Sequence, residues 1–452
     1  MRIESMRINY PNSHFTAAAV DGTEGNPMTR RRAGMHAAAA AAALALAALP
    51  LAACSSDAGT EGGTTTITIS SWYEENVIGT TIETANEILA ADDIELEYTQ
   101  IPLDQYNTWL STQLASGEGP DLIMDGASFP ARVAAGNLVD ISDDEIVSNF
   151  TPEGLALATA ADGAVYGVPS YGWFSGIFYN KALFEEAGVE VPTTFDEFLD
   201  VSDQLIDAGI TPLAAGLADS DKAIHSLMGY LENAYYHNGD GSPEIDTEFA
   251  YGETTLDGNW NDALDTWSEL IHHGVLTAEM IGTPMTQAQA EFTGGDAAMY
   301  ISGPWDYQVF VDAGLDFGMF AHVGDDAENQ WLLGGPAASM GVNVDSEHPE
   351  EALIALHALA SQEAMQATID ANPGAFSYYN GVEGSFPAEY DLVAPLLAEG
   401  HVAVGWDRWG VNMPAQTMLD TLTKGLQSVI GGQQSTDDLI AQLDAQADSI
   451  RY

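Results

Sequence analysis

Tryptophans at the ends of predicted strands or in glycine-rich connections are the residues of this chain best suited to contact a ligand. An indole in such a position presents a flat apolar face that can lie against the C–H face of a pyranose. Carboxylates and amides nearby can hydrogen-bond the hydroxyls of the same ring. These residue types favour a site that recognises a sugar by stacking and hydrogen bonding. The candidate tryptophans are Trp72, Trp173, Trp305, Trp331, Trp406 and Trp409.

Polar side chains near these tryptophans are the candidates for contacting sugar hydroxyls. Asp125 directly follows a predicted buried strand at Leu122–Met124. A cleft with tryptophans and carboxylates is also typical of a secreted acidic glycoside hydrolase, which needs two carboxyl groups about 5–10 Å apart. Sequence spacing leaves that alternative open. The remaining polar candidates, all close in sequence to a tryptophan, are Glu75, Asp306, Arg408 and Asn412.

Motifs for phosphate binding, nucleophilic catalysis and metal binding are incomplete in this chain. The turn Gly117–Pro120 has neither the Lys nor the Ser/Thr of a P-loop. Gly172–Gly176 lacks the spacing of a nucleophile elbow, and His272–His273 lacks the i, i+4 spacing of helical metal ligands. The loop that begins at Asn238–Ser242 has no Gly at position six and no Glu at position twelve of a calcium loop. We therefore predict no catalytic residue, no cofactor and no metal site.

An α/β architecture is the arrangement that the sequence predicts for positioning these residues. Alternating Thr and Ile predict a strand at Thr64–Ser71, and Ile94–Ile101 alternates in the same way. Helical patterns at Ile78–Ala91 and Leu103–Ala115 separate the predicted strands. Strands that alternate with helices indicate a largely parallel sheet, and such sheets bind ligands at the carboxyl ends of their strands. Further helices are predicted at Glu350–Ser361, Ala415–Val429 and Thr436–Ile450.

The stretch Tyr166–Leu199 combines a predicted extended segment with two predicted helices. Val165–Tyr179 is the extended part, and Lys181–Ala187 is the first helix. Thr194 and Glu197 form an S/T-x-x-E capping box, which marks the start of the second helix. The residues expected on one face of that helix are Phe198, Leu199, Leu205 and Ile206.

The charge of the chain is strongly negative, with 68 Asp and Glu against 11 Lys and Arg and a net charge of −57. Such a surface repels nucleic acids and anionic membranes, so nucleic acid is excluded as a partner. Solubility, for instance in a salty medium, explains the acidity, and a store of bound cations is the alternative. With 46% hydrophobic residues over 452 positions, the chain can build two or three packed domains.

The N-terminal region has the layout of a secretory signal. Arg30–Arg32 forms a basic segment, an Ala/Leu-rich run follows, and Leu51–Cys54 resembles a bacterial lipobox. We therefore expect residues 1–53 to be a signal or leader that is removed, 54–63 to be a linker, and Cys54 to be lipidated. No later apolar run reaches the length that a membrane helix needs, so the lipid anchor is the expected contact with the membrane.

Two stretches of the sequence resemble the central signatures of the family-1 extracellular solute-binding proteins, the receptors of ABC sugar importers. In that family a crossover strand ends in Tyr-Asn-Lys and leads through Leu-Phe and Ala-Gly to a Pro-Thr-containing helix cap. The matching residues here are Tyr179, Asn180, Lys181, Leu183, Phe184, Ala187, Gly188, Pro192, Thr193, Phe195, Glu197 and Phe198. The second stretch, Phe292–Trp305, keeps the family pattern except at Asp296, where a Lys is usual.

The resemblance implies an α/β protein with a two-lobe periplasmic-binding-protein type II fold and hinge crossovers. Crossing strands near 165–178 and 333–343 would form the hinge. The expected boundaries are 64–168 plus 336–382 for lobe one, and 169–335 plus 383–452 for lobe two.

The resemblance also implies a function without enzymatic activity. The expected protein is a monomeric, lipid-anchored receptor outside the cytoplasm that binds a sugar or oligosaccharide between its lobes and delivers it to ABC permease subunits. By similarity to maltose-type receptors, Trp305 would stack on the sugar, while Trp72 and Trp173 would face the cleft. A receptor for a non-sugar solute is a further alternative. The identity, length and linkage of the sugar are not specified by the sequence.

Overall fold

The structure, a computed structural model, describes residues 63–160, 162–218, 222–237, 241–242, 244–403 and 405–452. The expected signal peptide and the Cys54 lipidation site lie outside the described residues, as does most of the turn Asn238–Ser242. Among the residues that are described, no helix is both long enough and apolar enough to cross a bilayer.

The described strands form two separate sheets. In chain order the strands are β1 (Thr65–Ser71), β2 (Ile94–Gln100), β3 (Leu122–Asp125), β4 (Val168–Pro169), β5 (Gly172–Asn180), β6 (Thr211–Ala214), β7 (Ala297–Ser302), β8 (Phe317–Phe320), β9 (Leu332–Pro336), β10 (Ser339–Val342) and β11 (Val402–Ala403). Sheet one has the order β2-β1-β3-β10-β4, and sheet two has the order β11-β9-β5-β7-β6, with β8 also pairing with β5.

Most strands of each sheet point their carboxyl ends toward one edge. In sheet one, β1 is parallel to β2 and β3, and β10 is antiparallel to β3 and β4. In sheet two, β5 is antiparallel to β7, β8 and β9. β6 is parallel to β7, and β11 is parallel to β9. The predicted α/β class with parallel strand pairs is therefore confirmed.

Two short segments carry the chain between the sheets. Ser170 and Tyr171 connect β4 to β5, and Ala337 and Ala338 connect β9 to β10. The backbone N–H of Ser170 donates to the Ala338 carbonyl at 2.8 Å, and that of Ala337 donates to the Tyr171 carbonyl at 2.9 Å. The predicted extended segment Val165–Tyr179 is consequently two strands, because the chain leaves one sheet and enters the other at its middle.

Helices cover the sheets, and their bounds agree closely with the periodic segments of the sequence. The α-helices are α1 (Glu75–Leu89), α2 (Leu103–Ser116), α3 (Phe129–Ala134), α4 (Lys181–Ala187), α5 (Phe195–Asp207), α6 (Lys222–Leu231), α7 (Ile245–Tyr251), α8 (Asn261–Trp267), α9 (Glu269–His272), α10 (Met285–Gly294), α11 (Tyr307–Asp312), α12 (Pro349–Leu359), α13 (Gln362–Ala371), α14 (Ala394–Glu399), α15 (Ala415–Ile430) and α16 (Thr436–Ile450). A π-helical turn, Glu232–Tyr236, extends α6, and 3-10 turns at Pro304–Asp306 and Gly405–Val411 precede α11 and α15.

The start of α5 confirms the predicted helix cap with one change of partner. The Thr194 hydroxyl accepts a hydrogen bond from the Glu197 backbone N–H at 3.3 Å. The Glu197 carboxylate accepts from the backbone N–H of Thr193 at 2.8 Å, one residue before the cap. Of the residues expected on one face of this helix, Phe198, Leu199 and Leu205 are buried, whereas 42% of Ile206 is exposed.

Candidate functional site

The edges of both sheets that adjoin the crossing segments carry some of the predicted site residues. Asp125, at the end of β3, pairs with Ser339 at the start of β10, directly after the second crossing. Trp173, at the start of β5, pairs with Gly335 of β9, directly before that crossing. Ligands of open α/β sheets bind at such carboxyl edges. Both candidate groups therefore lie beside the same pair of crossing segments.

On sheet two, three tryptophans and a histidine form one aromatic group. The ring centroids of Trp173 and Trp406 are 6.1 Å apart with nearly parallel planes. His225 of α6 is stacked against both, at 5.6 Å from Trp173 and 6.1 Å from Trp406. Trp305 is tilted against Trp173 at 6.2 Å. Trp305 is 45% exposed and Trp406 only 7%, so Trp305 offers the open stacking surface of the group.

Charged side chains lie directly behind Trp305. The Lys222 ammonium, at the start of α6, is 5.0 Å from the centroid of the Trp305 ring. The buried Asp306 carboxylate accepts hydrogen bonds from the Ser302 hydroxyl and, at 2.8 Å, from Gln289. Burial raises the pKa of Asp306, and the two hydrogen bonds and the nearby Lys222 charge oppose that rise. These contacts fix the loop that carries Trp305.

A second layer of polar side chains supports His225 from inside sheet two. Ser175 of β5 lies 3.1 Å from His225 Nδ1 and 3.5 Å from His322 Nε2. All three residues are buried. Burial, together with the neighbouring His225 and Lys222, lowers the pKa of His322 to about 3. His322 is therefore neutral near pH 7, and the Ser175 hydroxyl bridges the two imidazoles.

On sheet one, Trp72 and Asp125 occupy the corresponding edge. Trp72 is half-buried and packs edge-on against Tyr106, with ring centroids 5.3 Å apart. The Asp125 carboxylate accepts from Arg132 Nε at 3.0 Å and from the Gly126 backbone N–H at 2.9 Å. Burial raises the pKa of Asp125, and Arg132 opposes that rise. Trp72 thus remains partly accessible, while Asp125 is neutralised by a buried cation.

Two predicted site tryptophans have no face available for a sugar. Trp331 is stacked between His237 at 3.6 Å and His401 at 4.5 Å, both nearly parallel to it. Trp409 is fully buried, and its indole N–H donates to Asp246 Oδ1 at 2.6 Å. We therefore revise the predicted group and leave Trp331 and Trp409 out of the stacking surface.

The weaker polar candidates lie in structural roles near the site. Glu75 is exposed in the first turn of α1, where a negative charge complements the helix dipole. The Asn412 amide donates to the Ala250 carbonyl at 3.2 Å. Arg408 lies beside the buried Asp246 and weakens the rise in its pKa. Asp306, by contrast, directly follows Trp305, and its hydrogen bonds hold the loop that carries Trp305.

Sequence reasoning missed Lys222, His225 and Ser175. Lys222 and His225 are one helical turn apart on α6, and every residue of that helix is buried. A Lys at the start of a fully buried helix was the available signal, because an isolated buried ammonium is costly. Ser175 gave no signal, since its role depends on histidines from two distant segments.

Comparison with known proteins agrees with this architecture. The sequence model of the family described as "Bacterial extracellular solute-binding protein" matches residues 78–366. The chain is 27% identical to the galactooligosaccharide-binding protein of Bacillus subtilis, in an alignment that covers 50% of this chain and 53% of that protein. It is 22% identical to the multiple sugar-binding protein of Streptococcus mutans, over 71% of this chain and 77% of that protein.

A solved structure shows the same fold. The family 1 extracellular solute-binding protein from Bifidobacterium longum subsp. infantis superposes with a TM-score of 0.69 at 24% identity. The superposition covers 86% of this chain and all of that one. The two-lobe α/β fold expected from the sequence is thereby confirmed.

Proposed function

The chain belongs to the family of bacterial extracellular solute-binding proteins, and on this premise we propose that it binds a sugar or oligosaccharide between its two sheets. Members of this family bind solutes for transport, so the chain is a binding protein and not an enzyme. The glycoside hydrolase alternative is excluded by that assignment. The family assignment leaves the solute open, and we propose that it is a sugar.

The observation that carries the proposal is the exposed indole of Trp305 within the aromatic group of sheet two. Its open face can accept the C–H face of a pyranose, while Trp72 faces the same pair of crossing segments from sheet one. The two similar proteins from Bacillus subtilis and Streptococcus mutans are named for binding galactooligosaccharides and multiple sugars. These names support a carbohydrate over another kind of solute.

Hinge closure is the mechanism that we propose for capture. The crossing segments near Ser170 and Ala337 would bend, with lobes bounded as predicted at 64–168 plus 336–382 and 169–335 plus 383–452. Because each lobe supplies part of the site, a ligand stabilises the closed state by its additional contacts there. The permease of an ABC importer would then receive the sugar from the closed, monomeric receptor.

Lipid anchoring at Cys54 completes the proposal. Replacement Cys54→Ala should release the protein into the medium or leave it as uncleaved precursor, because stable anchoring requires the attached acyl chains. Labelling with a radioactive fatty acid, followed by detergent partitioning, measures this. A variant that is still processed and still partitions into detergent would contradict anchoring at Cys54.

A thermal-shift screen with neutral oligosaccharides tests the sugar proposal. A ligand at about 100 times its dissociation constant stabilises the folded state by about 2.7 kcal/mol, which shifts the melting temperature measurably. Amino acids, polyamines and peptides serve as the non-sugar arm of the screen. Stabilisation by a sugar supports the proposal, whereas stabilisation only by a compound of the second arm would replace the sugar with that solute.

A further inference from the structure

The 3-10 segment Gly405–Val411 contributes one tryptophan to the aromatic group and buries another in the core. Trp406 stacks on Trp173 and His225, as described above. Trp409 packs against Phe249 at 5.9 Å and against Trp260 at 6.0 Å. In a 3-10 turn the side chains at positions i and i+3 eclipse each other. The rotation of this segment about its axis therefore sets the direction of both indoles together.

Asp246 of α7 is hydrogen-bonded to this segment. Asp246 is fully buried, and its Oδ1 accepts from the Trp409 indole N–H at 2.6 Å. Glu232 and Tyr236 of the π-helical turn and Arg408 of the segment itself also face this carboxyl group. Burial raises the pKa of Asp246 to about 6, as expected for a carboxyl group held in a dry interior.

The segment Gly405–Val411 also contacts α3 and the loop that joins α3 to β3 of sheet one. A Cβ placed on Gly410 would lie 3.0 Å from Pro130 Cγ of α3 and 3.6 Å from the Ala127 carbonyl. Trp406, Trp409 and Gly410 thus each contact a different part of the protein. The Trp409 contact includes a directional hydrogen bond.

We infer that Asp246 is a positioning residue for the sugar site, which holds Trp406 in the aromatic group through its hydrogen bond to Trp409. This inference rests on the proposed function for its effect on sugar affinity. Asp246 itself would contact no ligand, because it has no exposed surface. Its consequence for the structure of the unliganded protein is independent of any sugar.

Fluorescence quenching of the unliganded protein tests the positioning directly. The contribution of Trp406 to acrylamide quenching is the difference between the quenching of a protein and that of the same protein with Trp406→Phe added. It is measured in this way for the wild type and for each variant. Asp246→Ala and Trp409→Phe should both increase this quenching, because Trp406 loses its fixed orientation. Asp246→Asn keeps an oxygen acceptor for the indole N–H and should restore the wild-type value. Unchanged quenching in Asp246→Ala would overturn the inference, whether or not a sugar has been found.

Calorimetry with the sugar identified by screening gives the functional readout. Asp246→Ala and Trp409→Phe should each weaken binding roughly fivefold to tenfold, the effect of losing one hydrogen bond. The double variant should be no weaker than either single one, because both act through one contact. Wild-type affinity in Asp246→Ala would overturn the positioning role, whereas failure of the wild type to bind any sugar would reject the proposed function alone.

Asp121→Ala is the matched control for general destabilisation. Asp121 accepts hydrogen bonds from the Thr68 hydroxyl at 2.7 Å and the Ser346 hydroxyl at 2.6 Å in sheet one. This variant should lower the melting temperature but leave sugar affinity and Trp406 quenching unchanged. A loss of affinity of equal size in Asp121→Ala would show that the effect of Asp246→Ala is unspecific and would overturn the inference.

Discussion

The buried pair Asp125–Arg132 shows how individual charges are managed in this very acidic protein. Their side chains are 6% and 11% exposed. Arg132 also donates to Ser111 at 2.9 Å and to Asn107, so its guanidinium bridges α2 and α3 beside the end of β3. Removing one member of a buried pair leaves the other charge uncompensated, which costs more than the pair itself contributes.

Arg132→Met should therefore destabilise the protein by about 3–5 kcal/mol near neutral pH. The pKa of Asp125 is already raised by burial, and loss of the guanidinium raises it further. A folded-state pKa above the unfolded value means stability that is present at low pH and lost as pH rises. The deficit of the variant should thus grow with pH, and denaturant unfolding at several pH values measures it.

Lys181→Met is the matched control, because it removes one member of an exposed ion pair. Lys181 and Asp316 are 3.6 Å apart, but their side chains are 43% and 79% exposed. Solvent screening limits such pairs to about 0–1 kcal/mol. A deficit for Arg132→Met that is as small as this, or that does not change with pH, would contradict the account of the buried pair.

Candidate site residues could be proposed from the sequence because tryptophans at predicted strand ends can face a cleft, although Trp331 and Trp409 have structural contacts instead. Trp305 ends the motif Phe292–Trp305, and Trp173 lies within the predicted extended segment Val165–Tyr179. Exposure of an indole, however, depends on tertiary neighbours. The imidazoles that cover Trp331 come from His237 and His401, and such long-range partners leave no local pattern in the sequence.

At the scale of elements, helix and strand bounds followed from local physics. α4 begins where the Asn180 side chain accepts from backbone N–H groups and ends at Gly188, whose φ is 73°. Capping residues and a left-handed glycine mark such ends in any context. The division of Val165–Tyr179 into β4 and β5 was implied only by the family resemblance, which placed crossing strands near 165–178. The local pattern could not show it, because an extended chain that changes sheets has the same local conformation on both sides of Ser170.

The buried helix α6 is tightly packed at Gly229, which yields a prediction for the element. Ala has a helix propensity about 1 kcal/mol better than Gly. A Cβ at Gly229 would, however, lie 2.2 Å from Cγ of the buried His322 ring, and overpacking of a core costs about 1–3 kcal/mol. Gly229→Ala should therefore be destabilising, as measured by denaturant unfolding.

Gly79→Ala in α1 is the control for helix propensity. There the nearest atom to the added Cβ is Cγ of the exposed Glu75, at 3.2 Å, and that side chain can move. This variant should be neutral or more stable by up to about 1 kcal/mol. If Gly229→Ala were equally well tolerated, the close packing of α6 against His322 would be refuted.

For the whole molecule, the net charge of −57 opposes folding through repulsion. Added salt shortens the reach of that repulsion from about 8 Å at physiological ionic strength to about 3 Å at 1 M. The melting temperature should accordingly rise between about 0.05 M and about 1 M NaCl. Differential scanning calorimetry over this range checks it. A flat or falling melting temperature would indicate that bound cations already balance the acidity.

Whether one sugar contacts both sheets is measured directly by the calorimetric affinity of Trp72→Ala and Trp305→Ala for the sugar found by screening. Each variant loses one aromatic surface worth about 1.5–3 kcal/mol, so each should bind roughly 10- to 200-fold more weakly. Ile354→Ala, at an exposed apolar position of α12, should bind like the wild type. Unchanged affinity in either tryptophan variant would contradict a sugar site shared by the two sheets.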